Sequence, residues 1–371
     1  MTDNVPVPAP SLAGGRLTID LAALAANWRT LAQRVAGETA AVVKADAYGI
    51  GLEPAGRALA EAGCRTFFVA LPEEGLRLRA ILADAVIYVL DGLVPGSAAA
   101  LAAADLRPVL GSFPEIDEWA ALKAAGAPTG SALHVDTGMN RLGLTPNEAA
   151  ALAGDPARLA AIAPSLLMSH LACADTPDHP SNARQLDAFR VVRALMPTVP
   201  ASLANSAGIF LGRDYHFGLA RPGIALYGAA FAAGARPLRP VVTLEARVLQ
   251  VRDVPAGSSV GYGATETVRK PSRIAILSVG YADGYHRHAS SADGRPGASV
   301  YVDGARAPVV GRVSMDLIAV DVTAFPLVAR GDWVELFGPH VPVDEVAAPA
   351  GTIGYELLTA LGRRYARRYV G

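Results

Sequence analysis

Ala41-Val42-Val43-Lys44-Ala45-Asp46-Ala47-Tyr48-Gly49 sets a cation at the end of an apolar, β-branched run. Paired valines favour a buried strand. A lysine that closes such a strand has two outlets: its stem carries the ammonium to water, or its amine is held neutral in an imine. The ordinary reading is the snorkelling lysine, and the segments around it bear on which outlet is used.

Working outward, strand-like runs recur at 40–45, 66–71, 86–90, 107–111, 132–136, 165–171, 201–205 and 216–221. Helical stretches lie between them, at 51–62, 72–82, 114–125 and 182–195, several opened by Pro or closed by Gly. Eight such alternations predict an α/β chain with a (β/α)8 barrel over residues 16–240. A doubly wound sheet shares the alternation, because alternation alone does not show closure. Residues 16–20 alternate like a short strand, and Asp20 caps a helical pattern through Leu21, Leu24, Trp28 and Leu31. Residues 1–15, with Pro6, Pro8 and Pro10, read as a flexible tail. From 241 to 371 the texture becomes short β-type runs broken by Gly, Pro and Asp, which predicts a β-rich C-terminal domain. A last helical segment is expected over 353–368, with Arg363, Arg364, Arg367 and Arg368 on its surface.

At 371 residues two domains are the natural division. No apolar run approaches the roughly 20 residues that span a bilayer, so no membrane partner is expected. The net charge of −1, with both signs interspersed, offers no footprint for nucleic acid. The N-terminus lacks the basic head and apolar segment of a signal peptide, which points to the cytoplasm. Cys64 and Cys173 form no disulfide framework and suit a reducing compartment. A small-molecule partner is the expectation that remains, and no metal is called for.

In barrel enzymes the chemistry gathers at the C-terminal ends of the strands. There the sequence sets Lys44, then Arg141, His170, Asn205-Ser206 and Arg221. Taken singly, His170 reads as a hydrogen-bonded core histidine and Arg141 as a surface ion pair. On one rim they become a site. Loops after the seventh and eighth strands of such barrels hold phosphate on backbone amides. Ser206, Gly223 and Ile224 lie there, and Tyr48 offers another hydroxyl, although plain turn chemistry also uses these residue types.

The chain resembles the alanine racemase family, which depends on pyridoxal phosphate (fold type III). The motifs that carry the resemblance are A-V-V-K-A-D-A-Y-G, V-D-T-G-M-N-R-L-G, S-H-L-A, N-S-A, R-P-G-I-A-L-Y-G, S-V-G-Y-A-D-G-Y, G-R-V-S-M-D and T-I-G-Y-E-L-L, in the family's order over nearly the whole chain. The resemblance implies an amino-acid racemase that interconverts L-alanine and D-alanine by two bases and supplies D-alanine for peptidoglycan. It also implies a homodimer whose sites are shared between subunits.

Carried over by position, Lys44 is the Schiff-base lysine and the base on the D-alanine face. Tyr281 is the opposing base. Two bases are needed because Cα–H is lost on one face and regained on the other. A free phenol, with a pKa of about 10, is a poor base, so a cationic neighbourhood must help it. His170 beside Arg221 is the candidate relay. Arg221 is the partner of the pyridine nitrogen, and because an arginine leaves that nitrogen unprotonated it favours proton exchange over transamination. Tyr48, Asn205, Ser206, Gly223, Ile224 and Tyr355 fall at cofactor positions, and Arg141 and the Met315 backbone at the substrate carboxylate.

One position departs from the family. Many members carry a carbamylated lysine seven residues before the substrate arginine, and this chain has His134 there. The expectation is that neutral His134, or an anion in the vacated space, holds Arg141, with protonation near the reference pKa of about 6.5 weakening substrate binding. A racemase of broader specificity and a barrel-type pyridoxal-phosphate amino-acid decarboxylase are the enzyme alternatives. The decarboxylase predicts a Cys beside Asp in the β domain, and no Cys follows Cys173. A non-catalytic cofactor carrier would lack the second domain.

Overall fold

The computed structural model describes residues 12–371 apart from 125, 127, 128 and 236. The expected tail lies outside the described residues as far as residue 11.

Leu24–Leu238 form one unit. Seven parallel strands pair in chain order: Ala41–Val42, Thr66–Val69, Val86–Val89, Leu106–Leu110, Ser131–His134, Pro164–Met168 and Ala201–Ser202. The eighth, Leu219–Ala220, pairs in parallel with Glu38–Thr39, which leads directly into the first. Ala40 N–H donates to Ala220 O and Val42 N–H to Pro222 O, both at 2.9 Å. On the other edge Gly218 N–H reaches Ala201 O at 3.0 Å and Arg221 N–H reaches Ala204 O at 2.9 Å. The sheet therefore closes on itself, which excludes the doubly wound alternative. Thr66–Val69 and Ser131–His134 are buried at every residue, as expected of strands covered on both faces. The outer helices start on chemistry visible in the sequence. Thr145 and Glu148 form a reciprocal capping box ahead of Pro146–Ala153, with Pro146 at the first helical position.

The other unit comprises Arg239–Gly371 together with the chain up to Ala23. Its main sheet runs in the order Ala305–Pro308, Ser299–Val302, Trp333–Phe337, Val242–Val254, Gly15–Asp20, Ala366–Val370. Ser272–Leu277 pairs with the far half of the long strand and with Ile318–Asp321. Val242–Val254 alternates buried and half-buried residues over its first half, the pattern of a sheet covered on one face.

Two expectations are corrected. Gly15–Asp20 belongs to this sheet, antiparallel to Val242–Val254 and parallel to Ala366–Val370, so residues 16–23 are not part of the barrel unit. Its inward side chains, Leu17 and Ile19, are fully buried there. The helix expected over 353–368 is shorter, spanning Gly354–Thr359, and Arg367 and Arg368 lie on the strand Ala366–Val370. Gly362 interrupts the helical pattern, and the open edge of Gly15–Asp20 draws the following Tyr-Ala-Arg-Arg-Tyr-Val into extended pairing. Among the described residues no helix is long and apolar enough to cross a membrane.

Candidate active site

The first barrel strand, Ala41–Val42, stops short of the expected run over 40–45. Val43 N–H still bonds Phe68 O at 2.8 Å, but the chain then turns, and Lys44 opens the turn Lys44–Tyr48 instead of ending a strand. Ala45, Asp46, Ala47 and Tyr48 have φ of 53°, 55°, 54° and 54°. Left-handed backbone costs L-residues about 1–2 kcal/mol each, so four in succession persist only where neighbours fix them. Part of that fixing is aromatic. Tyr48 is buried and stacks on Tyr227 with ring centroids 4.5 Å apart, and Tyr227 donates its hydroxyl to Val42 O at 3.0 Å.

The Tyr48 hydroxyl comes to rest against the loop after the eighth strand. A β-carbon added at Gly223 would lie 2.3 Å from it. Ser206 Oγ accepts the amides of Gly223 at 2.8 Å and Ala225 at 3.3 Å, and the Ile224 amide between them is not used by the hydroxyl. Asn205 bridges Arg221 across the seventh and eighth strands, and its Oδ1 accepts the Gly208 amide at 2.9 Å. Tyr48, Asn205, Ser206, Gly223 and Ile224 thus meet at one end of the barrel.

Arg221 is buried, and its acceptors are all neutral: Ser202 Oγ at 2.5 Å and Ser169 O at 2.6 Å, with Leu203 O at 3.5 Å. Burial pulls its pKa down to about 9. Nη1 makes the first of these contacts and Nη2 the other two, and Nε has no acceptor among the described residues. The Lys44 amine is also pushed down, by burial and then by Arg141, with Asp91 and Glu74 opposing. His170 is held well below its ordinary value by burial, then by Arg221, Arg141, His134 and Lys44. Its carbonyl accepts Gln185 Nε2 at 2.9 Å. Lys44, Arg141, His134, His170 and Arg221 therefore share one electrostatic neighbourhood, with Asp91 and Glu74 opposing the cations at Lys44 and Asp136 opposing them at His134.

His134 is buried, and its pKa is pushed down to about 4 by burial, Arg221 and Arg141. The protonation expected near 6.5 is corrected accordingly. No hydrogen bond links His134 to Arg141 among the described residues. Arg141 is exposed, and Asp136 turns its Oδ1 to the amides of Gly138 and Met139, both at 2.8 Å.

In the other unit, Tyr281, Met315 and Tyr355 are exposed at 40%, 53% and 36%. Tyr281 N–H donates to Ser314 O at 3.0 Å and Ala282 N–H to Met315 O at 2.9 Å, so the Tyr281 turn lies against the Met315 loop. Gly280 allows that approach, since a β-carbon there would meet Met315 O at 2.3 Å. Tyr262, which the sequence reading passed over, is 69% exposed on a turn whose Gly261, Gly263 and Ala264 all have positive φ. The Arg312 guanidinium packs against it, with Nη1 2.9 Å from a β-carbon built on Gly263. The signal available was the pair of glycines flanking a tyrosine, a device for presenting one side chain from a tight turn. No group of three or more His, Cys, Asp or Glu among the described residues could hold a metal ion.

A family model described as alanine racemase, N-terminal domain, matches residues 19–230, and one described as alanine racemase, C-terminal domain, matches 241–369. An alanine racemase of Methylobacterium sp. (strain 4-46) is 56% identical over 367 residues, covering 98% of this chain and 99% of its own. One from Rhizobium meliloti (strain 1021) is 52% identical over 369 residues, 97% of each chain. The crystal structure of alanine racemase from Bartonella henselae with covalently bound pyridoxal phosphate superposes with a TM-score of 0.90 at 44% identity, covering 96% of this chain and 100% of that one.

Proposed function

This chain belongs to the alanine racemase family, and we propose that it interconverts L- and D-alanine with pyridoxal phosphate held at the barrel mouth. The observation that carries this reading is Arg221: a buried guanidinium whose acceptors among the described residues are neutral oxygens, acting on the same histidine, His170, as a lysine whose amine burial drives toward its neutral form. The residues present fit the cofactor. Gly223 leaves room for the Tyr48 hydroxyl, Ser206 braces the Gly223–Ala225 loop, and the Ile224 amide is available for a phosphate oxygen. When bound, pyridoxal phosphate supplies the electron sink that acidifies the substrate Cα–H.

The chain's own residues do the rest. Lys44 holds the cofactor and moves a proton on one face of Cα. Arg221 donates to the pyridine nitrogen and, being cationic, keeps that nitrogen unprotonated. Arg141 and the Met315 amide bind the substrate carboxylate, Asn205 and His170 brace the Arg221 side of the pocket, and Tyr355 adds a phosphate hydroxyl. The second face needs a phenol from the β-rich unit. Tyr281 is the reading taken from the family motif; Tyr262 is a second, favoured by its exposure on a glycine-flanked turn against which the Arg312 guanidinium packs. Since the phenol lies outside the barrel unit, we take the active form to be a cytoplasmic homodimer, one subunit's β-rich unit completing its partner's barrel site, with the D-alanine serving peptidoglycan.

The test is direct. The purified protein, incubated with L-alanine and pyridoxal phosphate and resolved by chiral chromatography, should approach an equal mixture of enantiomers from either side. A pure enantiomer recovered unchanged, or carbon dioxide and an amine in its place, would overturn the reading.

A further inference from the structure

Something must hold the left-handed turn that carries Lys44. Within the turn, Ala47 N–H bonds Val43 O at 2.9 Å, Gly49 N–H bonds Ala45 O at 2.8 Å and Gly51 N–H bonds Asp46 O at 2.9 Å. The Asp46 amide points elsewhere, to Glu74 Oε1 at 3.2 Å. The other oxygen of that carboxylate, Oε2, accepts the amides of Ala70 at 2.9 Å and Leu71 at 3.2 Å, where the strand Thr66–Val69 runs out. One carboxylate therefore ties the lysine's turn to the end of the neighbouring barrel strand.

Glu74 is buried at the third position of the helix Pro72–Arg79. A glutamate there ordinarily reaches back to the amide before the helix and needs one oxygen to do so. Here the second oxygen goes to Asp46. Asp46 in turn accepts the Leu52 amide at 3.1 Å and Arg77 Nη2 at 2.8 Å, and Arg77, on the same helix as Glu74, is also held by Glu53. Capping the helix explains the contacts of Glu74 with the Ala70 and Leu71 amides; those of Glu74, Leu52 and Arg77 with Asp46 converge on the turn.

We propose that Glu74 is a positioning residue for the racemisation: its carboxylate clamps the left-handed turn so that Lys44 meets the cofactor in one place, and it keeps a negative charge beside the lysine. This rests on Lys44 being the attachment site, as read above. The charged and titratable groups facing Lys44 are Arg141, Asp91, Glu74 and His170. Burial and Arg141 lower the amine's pKa, and Asp91 and Glu74 oppose them. Glutamine cannot replace the clamp, because its single carbonyl oxygen serves one side while its NH₂ confronts a backbone donor on the other.

The test uses the full chain loaded with pyridoxal phosphate, as wild type, Glu74→Gln and Glu74→Asp. Amide exchange read by mass spectrometry over residues 45–51 should speed up about tenfold or more in Glu74→Gln, the loss expected for a hydrogen bond to a charged group. The pH at which the visible band of the lysine-bound cofactor is half lost should move down in Glu74→Gln and stay in place in Glu74→Asp, which keeps the charge. A folded Glu74→Gln protein with wild-type exchange and an unmoved midpoint would overturn the proposal. Should Glu74→Gln not fold, Glu74→Asp decides, since its shorter arm cannot reach both strand end and turn: unchanged exchange over 45–51 there also overturns it. Borohydride trapping at another lysine in the wild type would overturn the Lys44 assignment instead, with the exchange data still reporting on the clamp.

Discussion

The Tyr48 hydroxyl occupies the space that a side chain at Gly223 would need: a β-carbon there would stand 2.3 Å from it. Residues on the first and the last barrel strands' loops are thus fitted to each other, and the fit is made where the cofactor's phosphate is proposed to sit. Gly223→Ala should push Tyr48 off its stack on Tyr227, loosening the turn that begins at Lys44. Overpacking of this kind costs about 1–3 kcal/mol. The expected outcome is a folded protein with a lower unfolding midpoint and a pyridoxal phosphate affinity weakened by about tenfold or more, measured by cofactor titration at the visible band. Wild-type affinity in the variant would show that the hydroxyl has room to move and does not contact the phosphate.

Lys44→Ala should abolish the borohydride-trapped pyridoxal adduct and racemisation together, since the same amine holds the cofactor and moves the proton. Peptide mapping of the reduced wild type should find one modified residue, Lys44. An adduct on Lys123 or Lys270 in its place would move the site away from the barrel mouth.

Much of this arrangement is readable before folding, because barrel topology converts sequence position into location: whatever follows a strand's last apolar residue lies at the barrel's C-terminal rim, and Lys44, His170, Asn205 and Arg221 all follow such strands. What resists such reading is of two kinds. The left-handed run Ala45–Tyr48 has little propensity signal, since alanine and tyrosine are poor residues for that region and are held in it by tertiary contacts, those with Glu74 and Tyr227 among them. Glu74 itself reads as an ordinary helix-start glutamate. Strand pairing over long separations is equally hidden. Gly15–Asp20 stands ahead of a helix like a first β/α unit, yet its partners are Val242–Val254 and Ala366–Val370, far along the chain.

The buried imidazole of His134 makes a pH prediction with a definite sign. Its folded pKa of about 4 lies below the reference of about 6.5. The unfolded chain therefore binds the extra proton first, and the folded state loses stability as pH falls from about 6.5 to about 4. The full difference amounts to about 3 kcal/mol, to order of magnitude. In urea melts, His134→Gln should lose less stability than wild type between pH 7 and pH 4.5. Because the imidazole stays neutral above about pH 5, its protonation should leave the substrate KM flat from pH 8 to 5.5. Should KM in the wild type climb near pH 6.5 and the climb vanish in His134→Gln, the imidazole titrates as if exposed and the buried placement is wrong.

The phenol of the second face is decided by separating proton transfer from cofactor attachment. Tyr281 is set by a turn that packs on the Met315 loop, whereas Tyr262 stands on a glycine-flanked turn beside Arg312. Loss of a general base typically lowers turnover by about 10²–10⁴-fold, without preventing Lys44 from holding the cofactor. Tyr262→Phe and Tyr281→Phe are to be compared for kcat in both directions, for the trapped adduct at Lys44, and for deuterium uptake into each enantiomer in D₂O. We expect the larger loss in Tyr262→Phe, with exchange of the D-alanine Cα proton, served by Lys44, retained and exchange of L-alanine lost. Tyr281→Phe should change KM more than kcat, because its turn shapes the Met315 contact with the substrate carboxylate. If the two variants exchange these signatures, Tyr281 is the base, as the family motif first implied. Mixing the more damaged variant with Lys44→Ala should then restore part of the activity by forming one intact site per heterodimer. Mixed dimers without restored activity would place lysine and phenol in the same subunit.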